Sequence, residues 1–160
     1  MSDFLSRVKK HGPLILDILV SVAVVAITTW SSGQTAEVSD GASRGIARWL
    51  LTFLPGAHTE ATVSLVDHLL RKAAHFTLYF ILGCSLTGCY RRQKRVPYVL
   101  AVLLTGAVLA GLDEFHQMFV DGRGPMFSDV VLDTCGVAAG CLFATVFHKI
   151  HMRKSEKKNN

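Results

Sequence analysis

The sequence predicts an all-α, polytopic membrane protein with four transmembrane helices and one external amphipathic helix. Three observations carry that prediction. Half of the 160 residues are hydrophobic, and they gather in blocks instead of alternating with polar positions as in a soluble domain. Those blocks are four: Leu14 to Trp30, Ala73 to Tyr90, Val96 to Leu112 and Val130 to Phe147. The basic residues are distributed unevenly between the segments that join them.

Length comes first. A bilayer core of about 30 Å takes roughly 20 helical residues. Each block reaches that length once its polar-tipped ends are included, and each is apolar nearly all round, unlike the striped helices of a soluble bundle. Charge then sets the orientation. Of the 17 Lys and Arg residues, twelve fall before the first block, between the second and third, or after the fourth. Arg44, Arg48, Arg71, Lys72 and Arg123 fall on the other side. The positive-inside rule therefore predicts that both termini are cytoplasmic. The net charge of +5 reads as a topology signal, and no nucleic-acid partner is expected.

Taken in order, the first block follows Arg7, Lys9 and Lys10 and leads into "TTWSSGQTA". Three further spans make a cleaved signal peptide unnecessary. The external segment contains "ASRGIARWLLTFLPG", where Arg44 and Arg48 are four apart and Ile46, Trp49, Leu50 and Phe53 cluster on another face. That pattern suits a helix lying in the membrane interface, or a lid over the bundle. The next helix is expected from near Thr59, through "HTEATVSLVDHLLRKAAHFTLYFILGCSLTGCY", and "RRQKRVP" ends it on the cytoplasmic side. The third span returns outward to Asp113 and Glu114. Gly122, Gly124 and Pro125 supply a turn, and the fourth span begins near Ser128. One domain covers residues 1–152; the basic cytoplasmic tail 153–160, "RKSEKKNN", is the candidate for disorder. Cys84, Cys89, Cys135 and Cys141 all lie in or at the ends of spans, where packing is their expected role and no disulfide is expected.

The chemistry concentrates in three sets. Lys72, His75 and Tyr79 share one helix face, at i, i+3 and i+7. Asp113 and Gln117 are four apart, with Glu114 beside them, and Asp129 and Asp133 are four apart on the last helix. Gly136 and Gly140 continue that stripe and permit close helix approach. Under the predicted topology all three sets lie toward the external ends of their helices, so they converge in one outward-opening polar pocket, with Arg123 over it. Asp133 lies a full turn inside the last helix, where an unpaired charge costs several kcal/mol. Asp17 stands apart, as a polar anchor or a local partner. A metal held by His75, His116 and the carboxylates is an open alternative but not the expectation: none of the cysteines has ligand spacing, and His116 points away from Asp113 and Gln117.

At these residues the chain resembles the VanZ family. "RKAAHFTLYFILG" is similar to its signature of Lys, His-Phe and Tyr before a Gly. "DEFHQMFVDGRGPMFSDVVLDTCGVAAG" matches its Asp-Glu-x-x-Gln, then Gly-Arg, then an Asp, then an Asn-or-Asp with spaced glycines. "TTWSSGQTAEVSD" resembles its Ser-Ser-Gln-like segment, with Gly33 between Ser32 and Gln34. The resemblance covers residues from about 14 to 148. One departure is Asp133, at a position often held by Asn. The resemblance implies a small four-span protein of the Gram-positive cell envelope, associated with resistance to glycopeptides, teicoplanin above vancomycin. It supplies no reaction.

Three functions compete at this stage. In the first, Arg123 and Lys72 hold an anionic headgroup of an outer-leaflet lipid or lipid-linked envelope precursor. Glu114 or His75, beside Asp113, then transfers a proton, while Tyr79, Gln117, Asp129 and Asp133 orient the substrate. In the second, the same pocket binds a lipoglycopeptide or an envelope lipid without chemistry. Ion-coupled transport ranks third, since short helices without breaks or repeats suit it poorly. No cofactor is expected, and oligomeric state is open.

Overall fold

A computed structural model describes the backbone of residues 2–56, 59–93 and 97–159, and of these the side chains of 11–35, 41 and 43–154. The loop positions Lys94 and Arg95 lie outside the described residues, as do the side chains of Arg7, Lys9, Lys10, Lys157 and Lys158. Five helices follow one another: α1 (Ser2–Ser32), α2 (Ala36–Leu51), α3 (Glu60–Arg91), α4 (Tyr98–Gln117) and α5 (Phe127–Asn159). No strand occurs among the described residues. The tail expected to be disordered continues α5 as far as Asn159.

By length and composition, three helical stretches can cross a membrane: His11–Ser32, Tyr98–Gln117 and Phe127–Lys154. Their outward faces are apolar, with Leu16, Leu19 and Val22 on α1, Leu104 and Val108 on α4, and Leu142 and Phe147 on α5 all well exposed. The interior holds much of the polarity. Thr28, Ser32, Asp67, Ser85, Thr87, Asp113, Glu114, Gln117 and Asp133 are all buried. An exterior of Leu and Val around an interior of carboxylates suits a hydrocarbon solvent and would be unstable in water.

α3 is the exception in composition and the centre of the packing. It touches α1, α2, α4 and α5, and the buried charge of its first half, Asp67, is paired with Arg71 on the same helix, while Leu65 and Leu69 of that half are exposed. Its start is capped, with the Thr59 hydroxyl accepting from the Thr62 N–H at 3.3 Å and Glu60 in the first turn, where a negative charge favours the helix dipole.

The closest packing joins α3 to α5. A Cβ added at Gly136 would stand 2.8 Å from the Phe76 carbonyl and 3.1 Å from the Tyr79 Cβ. One turn further, Gly140 lies against the Phe80 carbonyl. On the facing side, Gly83 lies against the Val137 backbone. The Gly136 and Gly140 stripe legible in the sequence is thus the seam along which the two backbones meet. Val137, fully buried, fills the space that Gly106 leaves on α4.

α2 lies beside the start of α3. Ala47 and Leu51 pack on Val63, and Arg48 bonds both Glu60 oxygens, at 3.1 and 3.3 Å. Ile46 and Trp49 of α2, and Phe53 just beyond its end, face outward, with the Trp49 and Phe53 rings edge to face at 5.1 Å. At the opposite end of the bundle, Asp17 proves to be a local partner: it pairs with Arg92 and rests against Gly88. Ser21 and Ser85 meet there at 2.8 Å, and Tyr90 meets Thr105 at 3.0 Å. The cysteines are free; Cys141 is buried and Cys84 half-buried, but Cys135 is exposed on α5 and does not pack inside the bundle.

Candidate functional site

Four helix ends meet at one level: the last turn of α1, the first half of α3, the last two turns of α4 and the first two of α5. Alternating helix direction forces this, because the connections place the end of one helix beside the start of the next. Ser32 is fully buried and donates its hydroxyl to Asp113 Oδ2 at 2.7 Å. Gln117 Nε2 donates to the same Asp113 oxygen at 3.3 Å and to Glu114 Oε1 at 3.3 Å. Glu114 Oε2 accepts the Met126 backbone N–H at 2.8 Å. Glu114 therefore ties the end of α4 to the residue that precedes α5.

On the α3–α5 side, Lys72 Nζ donates to Asp129 Oδ1 at 2.7 Å, and the Ser128 hydroxyl donates to the same oxygen at 3.1 Å. His75 Nδ1 lies 3.5 Å from Asp133 Oδ2, an ion-pair contact longer than a hydrogen bond. Asp133 is completely buried, and neither of its oxygens has a hydrogen-bond partner among the described residues; the same is true of Asp113 Oδ1. Ligand atoms of His75, Asp113 and Asp133 all fall within 4.8 Å of one another.

Above this group opens a cavity of about 380 Å³. It is lined by Arg71, Lys72, Arg123 and His68, by His75, Gln117, Asp129 and Asp133, and by the apolar Ile27, Leu78 and Leu132. Arg71 also pairs with the buried Asp67, at 3.3 Å. None of the described α2 residues lines the cavity, so of the two roles open to α2 the structure gives no support to a lid.

The VanZ/LLP1 family profile matches residues 18–148. The chain belongs to the VanZ/LLP1 family. No curated protein and no solved structure matches it. Within this VanZ/LLP1 protein, the residues singled out in the sequence fall into three groups. Lys72, His75, Gln117, Arg123, Asp129 and Asp133 all line the cavity. Asp113 and Glu114 lie behind the lining, tied by Ser32, Gln117 and Met126. Tyr79 is buried in the hydrophobic core with Leu82 and Val137.

Sequence reasoning missed three residues. Ser32 was legible only as part of the Ser-Ser-Gln-like segment, and its bond to Asp113 spans 81 positions. His68 is on the cavity wall, one turn before Lys72 on the face that Lys72 and His75 share; continuing that helical stripe upstream would have found it. Asp67 was concealed among the apolar residues of "TVSLVDHLL", and its partner Arg71 is four residues on. His116 is exposed, as expected.

Proposed function

We propose that this VanZ/LLP1 protein is a four-span protein of the cell envelope, with α3 as the fourth span and both termini cytoplasmic. Its cavity opens at the outer leaflet and takes the anionic headgroup of a lipid or lipid-linked envelope precursor. The observation that carries this reading is the mixed lining of the cavity, three cations together with apolar side chains. Arg71, Lys72 and Arg123 line it beside Asp129 and Asp133, with Lys72 paired to Asp129 and Arg71 to Asp67, and Ile27, Leu78 and Leu132 add apolar lining. Guanidinium and ammonium groups recognise phosphate, and the apolar lining accommodates the first carbons of an acyl or prenyl chain. A volume of about 380 Å³ suits a headgroup; a whole lipoglycopeptide is far too large to be enclosed.

Protection against teicoplanin, the role the resemblance implies, then acts through the lipid and not through capture of the drug. For proton transfer we favour His75, which lines the cavity, over Glu114, whose two oxygens are engaged by Gln117 and Met126. Tyr79 keeps a packing role.

Teicoplanin and vancomycin susceptibility of a sensitive Gram-positive host expressing the protein tests this reading. Selective teicoplanin protection is expected, lost in His75→Ala and Arg123→Ala at equal membrane abundance and retained in Glu114→Gln. Anionic lipid co-purified with the wild type is expected to fall in Arg123→Ala. Undiminished lipid retention in that variant would sink the headgroup assignment.

A further inference from the structure

Below the cavity wall lies a group that headgroup recognition leaves unexplained. Asp113 is 6% exposed and Asp133 not at all, yet three of their four oxygens have no hydrogen-bond partner among the described residues. Two carboxylates this deep are costly unless paired. Of the cations at the cavity, Lys72 is on Asp129 and Arg71 on Asp67. Among the described residues His75 is the imidazole grouped with the two carboxylates, and a single imidazolium neutralises at most one of them.

We propose that His75, Asp113 and Asp133 bind a divalent first-row transition-metal cation of the Mn²⁺ or Zn²⁺ type. The three ligand atoms already lie within 4.8 Å of one another. Around an ion with bonds of about 2.0–2.2 Å, neighbouring ligands stand roughly 3–3.6 Å apart. Binding then needs a contraction of roughly 1–2 Å across the group. The ligand set is mixed: imidazole suits Zn²⁺ and its neighbours, carboxylates suit Mn²⁺, and Ca²⁺ or Mg²⁺ would call for oxygen alone.

The surroundings support the assignment independently. Ser32 donates to Asp113 Oδ2 at 2.7 Å and Gln117 to the same oxygen at 3.3 Å. That orients the carboxylate and leaves Oδ1 bare, as outer hydrogen bonds orient metal ligands. His75 and Asp133 line the cavity, so three protein ligands leave coordination positions on the cavity side. An anionic oxygen of a bound headgroup is the chemistry that fits there. The ion neutralises both buried carboxylates and explains why Asp is tolerated at position 133. This proposal goes beyond the headgroup reading and does not rest on it; with the ion bound, His75 is a ligand, which replaces the proton-transfer role given to it above.

The test uses the full chain in detergent, stripped with EDTA and titrated with Mn²⁺, followed by electron paramagnetic resonance. One Mn²⁺ per chain is expected, displaced by Zn²⁺, with a nitrogen coupling that disappears in His75→Gln. Asp133→Asn is expected to weaken binding by about 100-fold and Ser32→Ala by about tenfold. Asp17→Asn, at the opposite end of the bundle, is expected to leave binding unchanged. If Asp133→Asn fails to fold, His75→Gln and Ser32→Ala carry the test. Absence of stoichiometric Mn²⁺ and Zn²⁺ binding at millimolar ion overturns the proposal. So does binding that shows no nitrogen coupling and survives all three site substitutions. Anionic lipid retained by the same stripped samples is measured separately, so failure of the headgroup reading is distinguished from failure of the metal site.

Discussion

Ser32, the last residue of α1, donates its hydroxyl to Asp113 in the final turns of α4 at 2.7 Å, with Ser32 fully buried and Asp113 nearly so. A short apolar span thus ends on a polar contact that fixes the depth of α1 against α4. Removing the hydroxyl leaves a buried carboxylate with fewer donors, which costs about 1–3 kcal/mol. Ser32→Ala is therefore expected to lower the thermal unfolding midpoint in detergent, and Ser32→Thr to lose less. An unchanged midpoint for Ser32→Ala would mean that this contact does not hold the helices together.

The α3–α5 seam makes a contrast between two glycines. At Gly136 a Cβ would stand 2.8 Å from a backbone carbonyl of α3, whereas at Gly111 nothing lies within 4 Å. Gly136→Ala forces the two backbones apart and is expected to destabilise the protein by about 1–3 kcal/mol. Gly111→Ala is expected to be neutral or stabilising, since Ala is the better helix former. Equal stability of the two variants would contradict the packing described.

Glu114 provides a test that separates tethering from proton transfer. Glutamine has one side-chain acceptor where the carboxylate uses two, on Gln117 and Met126. Glu114→Gln is expected to loosen the connection between α4 and α5 by about 1 kcal/mol. Hydrogen exchange at the Met126 amide reports it and is expected to accelerate, while teicoplanin protection persists. Loss of protection without faster exchange would return Glu114 to the chemistry.

For α2 the measurement is fluorescence. Trp49 is well exposed on the face that carries Ile46 and Phe53, and on the interfacial reading of α2 the indole is expected at the membrane interface. In a Trp30→Phe background, leaving Trp49 the single tryptophan of the two, the emission is expected to be blue-shifted in vesicles. Lipids brominated near the headgroup are expected to quench it more than those brominated at the chain ends. The reverse order of quenching would put α2 deeper than the interface.

The basic contact at the far end is expected to be structural only. Ala at Gly88 would meet the Asp17 carboxylate and displace it from Arg92. Gly88→Ala is expected to lower thermal stability, measured in detergent, while the folded fraction keeps its lipid and metal binding. A selective loss of either at unchanged stability would link the two ends of the bundle.

Much of this molecule is written in its one-dimensional pattern. The apolar runs are readable residue by residue, so the helices, their approximate boundaries and the membrane-spanning composition of three of them follow from the pattern alone. Spacing was also sufficient to place Lys72 with His75, Asp129 with Asp133 and Gly136 with Gly140, because a helix has a fixed period. Partners across helices were a different matter. Asp129 pairs with Lys72, Ser32 with Asp113, and Glu114 with the Met126 backbone, while Tyr79, on the same stripe as His75, turns into the core. Rotation and depth of one helix against another decide such pairings. Those are set by contacts such as Gly140 on Phe80 and Val137 on Gly106, which involve residues far apart in the chain. The sequence alone determined which helices exist and which faces carry charge; the tertiary packing decided which charges meet, and left Asp113, Asp133 and His75 facing one another.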